Sequence, residues 1–129
     1  MSDFSPTASI DYGMFIMPFH PPEKPWTQTI DEDLELIVRA DELGFTEGWI
    51  GQHSTLAWES IPSNDVFIAN VLPRTKNIRL GYGVRLTPKP YNHPVRSAES
   101  AAVLDLISNG RVDFATGRSS TRLELEGFG

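Results

Sequence analysis

Two short stretches of the sequence carry side chains suited to chemistry. His53, in Gly51-Gln52-His53-Ser54, directly follows the strand-like run Glu47 to Ile50. An imidazole titrates near neutrality, so a histidine at the end of a strand can give or take a proton at physiological pH. The alternative for His53 is a rim histidine that only hydrogen-bonds a loop. Arg118, followed by Ser119, Ser120 and Thr121, lies just past the run Val112 to Thr116. Guanidinium binds phosphate bidentately and hydroxyls add shorter contacts, so this cluster suits a phosphate group. Its alternative is a surface ion pair of Arg118 with Glu124 or Glu126.

Other residues offer a weaker signal. Trp26 and Trp58 fall in loops and could wall an apolar pocket, while Trp58 could equally pack against its own loop. His20, in His20-Pro21-Pro22, could reach the same pocket, and His93 reads as a helix-start residue. Trp49 lies within a strand and reads as core, and Gly83 as a plain strand glycine. Asp31, Asp33, Glu35, Asp41 and Glu42 read as the solvated face of a helix rather than a metal site.

The elements that must position these groups alternate. Ile10 to Met17 reads as an apolar strand stopped by Pro18. A helix follows from near Thr29, where Thr29 and Glu32 stand in capping-box spacing, to the stop at Gly44. Leu36, Ile37, Ala40 and Leu43 supply its apolar stripe. The strand at 47–50 leads to a helix that Ser63 could cap and that Pro73 should end. Ile78 to Leu86 makes a third strand, and a third helix runs from Pro94 to Asn109-Gly110 with a stripe of Val95, Ala98, Ala102 and Leu106. After the fourth strand at 112–116, Leu123 to Gly129 reads as an element not completed.

Alternating strands and helices require crossovers and a parallel sheet, so the fold class is α/β. Gly13 has no glycine partners, which removes the G-x-G-x-x-G dinucleotide fingerprint. Four strands in 129 residues fit the N-terminal half of a (β/α) TIM-type barrel, which takes about 250 residues: four parallel strands with outer helices. The expected organisation is a tail at 1–9 and a partial barrel domain at 10–129. Its outer strands would keep open edges, so a fragment, or dependence on another chain, is expected. In a barrel, chemistry sits in the loops after the strands, here 18–26, 51–61, 85–92 and 117–122.

Composition narrows the partners. With 40% hydrophobic and 22% charged residues the chain reads as globular, and a net charge of -6 argues against a nucleic-acid surface. The absence of cysteine excludes disulfides, thiolate metal sites and a cysteine nucleophile. Neither a basic-then-apolar start nor a run of roughly 20 apolar residues is present, so a cytoplasmic protein without a membrane partner is expected.

Several segments together resemble one family. Gly48-Trp49-Ile50-Gly51-Gln52-His53-Ser54 resembles the second-strand segment of luciferase-like flavin-dependent monooxygenases, and Thr55-Leu56-Ala57-Trp58-Glu59 resembles their limonene and diketocamphane branch. Met17 to Glu23, Tyr91 to Arg96, Leu104-Asp105 and Gly110-Arg111-Val112 resemble the same family, so the likeness spans residues 10 to 129. The resemblance implies a barrel that uses reduced FMN and dioxygen to oxidise a small apolar organic substrate through a flavin hydroperoxide. It implies that His53 is catalytic and that Arg118, with Ser119 and Ser120, holds the flavin phosphate. It also implies a non-proline cis peptide at Gly83-Val84, in a bulge supporting the flavin ring. A flavin reductase as supplier of reduced FMN is implied too, as is a homodimer or other oligomer with the second and third helices at its interface. Gln52 replaces the family's glutamate and Ser54 a second histidine of the luciferases, so light emission is not implied, while Arg85 replaces an apolar residue beside the implied bulge. Two alternatives stand: a deazaflavin-dependent hydride-transfer enzyme on the same barrel, and a truncated, non-catalytic partner subunit.

Overall fold

A computed structural model describes residues 10–129, and the expected tail at 1–9 lies outside the described residues. The apolar runs form β1 (Gly13–Ile16), β2 (Glu47–Gly51), β3 (Arg79–Leu86) and β4 (Val112–Gly117). Each strand pairs parallel with the next, in the order β1-β2-β3-β4. The crossovers that parallel pairing requires are α1 (Trp26–Glu42), α2 (Asn64–Val71) and α3 (Pro94–Ser108), and α4 (Arg122–Gly127) follows β4. The class is α/β, and the architecture is that of four consecutive strand-helix units of a TIM-type barrel.

Proline and glycine chemistry sets most boundaries as expected. Pro73 turns the end of α2 into a single 3-10 turn, Leu72–Arg74. Pro94 opens α3, and Asn109 (φ 55°) and Gly110 (φ 79°) close it in the left-handed region. Other boundaries shift. α1 starts three residues before Thr29, because Pro25 stands at the N-cap and its carbonyl already accepts Thr29 N at 3.1 Å. Thr29 therefore sits inside the first turn and its hydroxyl donates to Trp26 O at 2.8 Å, while Glu32 accepts from Lys24 and Gln28, so no capping box forms. Ser63 stands at the N-cap of α2 but its side chain makes no cap bond. β1 covers only the middle of the expected strand. The C-terminal segment closes as α4 because Thr121 caps it, accepting from Glu124 N at 3.3 Å.

The helices bury faces that differ from the apolar stripes. In α1 Ile37 and Ala40 are buried as expected, but Leu36 and Leu43 are exposed and the face is completed by Thr29, Asp33 and Leu34. α3 leaves its whole expected stripe, Val95, Ala98, Ala102 and Leu106, exposed. It buries Ser97, Leu104 and Ser108 instead. Arg85 Nε donates to Ser97 Oγ at 3.2 Å, and Arg111 N to Ser108 Oγ at 3.1 Å.

Alternation along the strands divides the sheet into two faces. Ile16, Ile50, Leu80 and Tyr82 face the helices and join Leu34, Ile37 and Ile68 in the core. Phe15, Trp49, Gly81 and Gly83 face the other way. There the aromatic rings of β1 and β2 occupy the space that side chains on β3 would need: a Cβ at Gly81 would lie 2.3 Å from Trp49, and one at Gly83 2.6 Å from Phe15. Trp49 is thus half-buried on this second face rather than in the core, its indole N–H on Glu47 Oε2 at 2.9 Å.

Two acids of the supposed solvated helix face are structural. Asp41 accepts the backbone N–H groups of Lys76, Asn77 and Ile78 at 2.6, 2.9 and 2.7 Å, fixing the entry to β3. Burial pushes its carboxyl pKa up, and these three bonds more than reverse the effect, holding it low. Asp33 is only 6% exposed. No helix among the described residues is long and apolar enough to cross a membrane.

Candidate functional site at the strand C-terminal ends

Parallel strands all end on one side, and the loops leaving β1, β2 and β4 meet there around a cleft of about 450 Å³. Met17, Phe19, His53, Trp58, Glu59 and Ser120 line it. A larger concavity of about 730 Å³ lies between α2 and α3, lined by Val66, Ala69, Val103 and Leu104, on the outer side of the sheet and away from the strand ends.

The centre of the site is a carboxylate that the sequence does not advertise. Glu124, in the first turn of α4, is fully buried. Its Oε1 accepts Ser54 N at 2.6 Å, and its Oε2 accepts Ser119 Oγ at 2.6 Å, Thr121 Oγ1 at 2.9 Å and His53 Nδ1 at 3.1 Å. Burial raises its pKa, but the donors from Ser119, Ser54, Thr121 and His53 together lower it below the usual carboxylate value. An ionised carboxylate only accepts, so His53 carries its proton on Nδ1 toward Glu124 and turns Nε2 to Glu59. Glu124 also bridges two strained segments: Thr55 (φ 64°) and Ser119 (φ 83°) hold left-handed backbone, each costing about 1–2 kcal/mol in a residue with a Cβ.

Glu59 is the second buried acid. Its Oε2 lies 3.8 Å from His53 Nε2 and has no hydrogen-bond partner among the described residues. Burial raises its pKa, His53 lowers it and the charge of Glu124 raises it again, leaving it above the ordinary value.

Behind this cleft the first loop is pinned to the second. His20 Nε2 meets Asp33 Oδ2 at 3.0 Å, Ser60 Oγ donates to the same oxygen at 3.2 Å, and His20 N donates to Trp58 O at 2.9 Å. His20 is thereby engaged with α1 and is not among the residues lining the cleft; Trp26, the first residue of α1, is not either.

At the end of β3 the register shifts between Tyr82 and Arg85, and the Gly83–Val84 peptide is cis, as the resemblance implies. Arg85 is buried and is accommodated by a pair with Asp65 Oδ2 at 2.5 Å, and Tyr82 OH donates to Asp65 Oδ1 at 2.6 Å. Asn64 Nδ2 reaches Val84 O at 3.5 Å, while Asn64 Oδ1 and Gln52 Oε1 are buried without partners. Arg118 is exposed and makes no salt bridge among the described residues, so the expected alternative pairing with Glu124 or Glu126 does not form. Glu126 pairs with Arg122 instead.

These features fit a flavin mononucleotide. The Arg118 guanidinium, without a salt bridge among the described residues, and the Ser120 hydroxyl two residues on can take a phosphate, and the orphaned amide oxygens of Gln52 and Asn64 can take N–H or hydroxyl donors. Ser119 is committed to Glu124 and has only acceptor capacity left. Glu124, Glu59 and Asp33 were not candidates from sequence. For Glu124 a signal existed: Thr121 and Glu124 stand in capping-box spacing.

Known proteins resemble the chain over most of its length. The chain is 38% identical over 108 residues to limonene 1,2-monooxygenase of Rhodococcus erythropolis, covering 84% of this chain and 27% of the relative. Its fold superposes with a TM-score of 0.87, at 27% identity, on the oxygenating constituent of 3,6-diketocamphane monooxygenase from Pseudomonas putida, a type II Baeyer-Villiger monooxygenase in complex with FMN. That match covers 94% of this chain and 33% of the other. A coenzyme F420-dependent tetrahydromethanopterin reductase from Methanopyrus kandleri superposes at a TM-score of 0.70 with 25% identity, covering 93% of this chain and 30% of the other. The chain thus spans about a third or less of the proteins it matches. The profile of the family described as "Luciferase-like monooxygenase" matches residues 10–129, every described residue, and the chain belongs to that family.

Proposed function

We propose that this chain contributes the proton-handling and phosphate-binding part of a flavin-dependent monooxygenase that oxidises a small apolar organic molecule. The observation that carries the reading is His53 at the mouth of the cleft, its Nδ1 fixed by the ionised Glu124 and its Nε2 free for proton exchange. A ring with one nitrogen anchored to a carboxylate has a defined tautomer, which a general acid-base group requires. Reduced FMN, when bound, supplies the electrons that activate dioxygen. Arg118 and Ser120 hold its phosphate, and Gly83 and Val84 meet its ring system, while Ser119, its hydroxyl proton given to Glu124, has none to donate to the phosphate. Met17, Phe19 and Trp58 give the cleft an apolar wall that favours an apolar substrate.

A separate flavin reductase supplies the reduced cofactor, in keeping with a relative described as an oxygenating constituent. The exposed Val66 and Val103 on α2 and α3 serve as a contact in a dimer, and the protein works in the cytoplasm. The test is stopped-flow mixing of the intact protein with reduced FMN and dioxygen. Binding of reduced FMN with dioxygen consumption is expected, with turnover falling about 10²-fold or more in His53→Ala and FMN affinity falling in Arg118→Ala. A protein that binds a reduced deazaflavin and consumes no dioxygen would replace this reading by hydride transfer, which the likeness to the F420-dependent reductase favours.

A further inference from the structure

His53 is bracketed by two carboxyl groups in opposite circumstances. Glu124 receives four donors on its two oxygens, whereas Glu59 Oε2 is buried, unmatched and 3.8 Å from His53 Nε2. Glu59 as a whole is 3% exposed, yet it lines the cleft. Its position is fixed through the backbone, by a bridge to Phe19 on one side and by Ser60, held by Asp33, on the other. Two buried carboxylates on either side of one ring do not both ionise cheaply, and the donors decide which one does. Glu124 has them and Glu59 lacks them. The raised titration of Glu59 and the lowered titration of Glu124 agree with that geometry.

We propose that Glu59 is the second proton-bearing group of the site, exchanging one proton with His53 Nε2 and passing it into the cleft, while Glu124 stays as the fixed counter-charge. This deepens the assignment of His53 and rests on it. In one form Glu59 carries the proton and Nε2 a lone pair; in the other Glu59 is a carboxylate and the ring an imidazolium. The three groups sum to one negative charge in both forms. Delivery to an oxygen atom in the cleft breaks one O–H or N–H bond, adds one negative charge to the cluster and moves no electrons. Solvent then restores the proton through the open cleft. The gap of 3.8 Å exceeds a hydrogen bond, so exchange proceeds after a movement of about 1 Å or through one water. The charged groups facing Glu59 are His53 from the β2 loop and Glu124 from α4; Arg122, at the rim, is engaged by Glu126, and Asp33 behind Ser60 is engaged by His20.

The experiment is NMR titration of the intact, ligand-free protein carrying ¹³C-glutamate and ¹⁵N-histidine labels, for wild type and Glu59→Gln. In the wild type the Glu59 carboxyl and the His53 ring are expected to shift together in one joint step, because their protons belong to the pair. In Glu59→Gln that step should vanish from the imidazole, and kcat should fall about 10- to 100-fold with KM for substrate unchanged. Glu59→Asp, which keeps the acid, should restore part of both. Independent titration of Glu59 and His53 in the wild type, or a Glu59→Gln enzyme with wild-type kcat and pH profile, would overturn the proposal. Should Glu59→Gln fail to fold, the wild-type joint step decides alone. Failure of the wild type to use reduced FMN and dioxygen would overturn the monooxygenase reading instead, and the ligand-free titration still decides the exchange.

Discussion

Replacing Glu124 by alanine tests whether one carboxylate holds the loops of the site together. The substitution removes the acceptor for Ser54 N, Ser119 Oγ, Thr121 Oγ1 and His53 Nδ1. Hydroxyls and the ring can turn elsewhere, but a backbone N–H cannot, so the orphaned Ser54 amide alone costs about 1–3 kcal/mol. The three remaining charge-assisted bonds and release of the loops at Thr55 and Ser119 bring the expected loss to about 3–4 kcal/mol. Urea unfolding reads the global loss, and hydrogen exchange at Ser54 reads the local one, with a rise of about 10²-fold at that amide. Glu124→Gln refines the test. Only an oxygen can face the Ser54 N–H, so the amide nitrogen must take the place of Oε2 and donate to His53 Nδ1. The imidazole proton should therefore move to Nε2, a tautomer change visible in ¹⁵N shifts, at a cost of about 1–2 kcal/mol. Unchanged Ser54 exchange in the alanine variant, or an unchanged His53 tautomer in the glutamine variant, would refute the reasoning.

Three further outcomes follow from the same contacts. Gly81→Ala places a Cβ 2.3 Å from the Trp49 ring and should destabilise by about 1–3 kcal/mol with a shifted tryptophan emission; a variant as stable as the wild type would show that the rings of β1 and β2 do not fill the space over β3. Asp65→Ala leaves the buried Arg85 guanidinium with Ser97 alone and strips Tyr82 OH of its acceptor, so chemical denaturation should register a loss of about 3–5 kcal/mol, and a loss under 1 kcal/mol would contradict the pairing. The two buried glutamates should also give stability opposite pH dependences. Glu124 has a folded pKa below its ordinary 4.5, so its contribution is present above 4.5 and disappears as pH falls through the folded value. Glu59 has a folded pKa above 4.5, so its contribution is present below 4.5 and is lost as pH rises through the folded value. Urea midpoints across pH 3 to 7, a range of roughly two units either side of these values, should show Glu124→Gln flattening the acid side and Glu59→Gln the other; curves parallel to wild type would contradict both assignments.

Boundaries were legible where the backbone itself is constrained. Pro73, Pro94 and Asn109-Gly110 act through φ and through a missing or surplus hydrogen-bond donor, and they act alike in any context. Side-chain caps depend on what precedes them. The sequence offers Thr-x-x-Glu twice, at 29–32 and at 121–124. At the first, the helix has already begun at Trp26, after Pro25 at the N-cap, and the threonine hydroxyl turns back to Trp26 O. At the second, Thr121 itself is extended (φ -99°, ψ 143°), and the cap forms. Apolar stripes misled for a related reason: α3 turns Ser97 inward to Arg85, and polar pairing across elements leaves no periodicity to read.

The site shows the same division between what strand order fixes and what donors fix. His53 and Arg118 are found from sequence because each directly follows a strand, and parallel strands deliver such residues to one end. Asp33, Glu59 and Glu124 are acids, and an acid in a sequence reads as surface by default, since burying a charge without partners is costly. What overrides the default is the supply of donors from segments far away in the chain. Ser54 lies 70 residues from Glu124, and His53 lies 71. That separation spans β3 and α3, so the carboxylate gains its donors only after β2, β3 and β4 have paired in register. The charge state of the site is therefore a product of the sheet: the pairing that brings the β2 and β4 loops together makes Glu124 an anion, and the same closure, by leaving Glu59 without donors, makes it the acid.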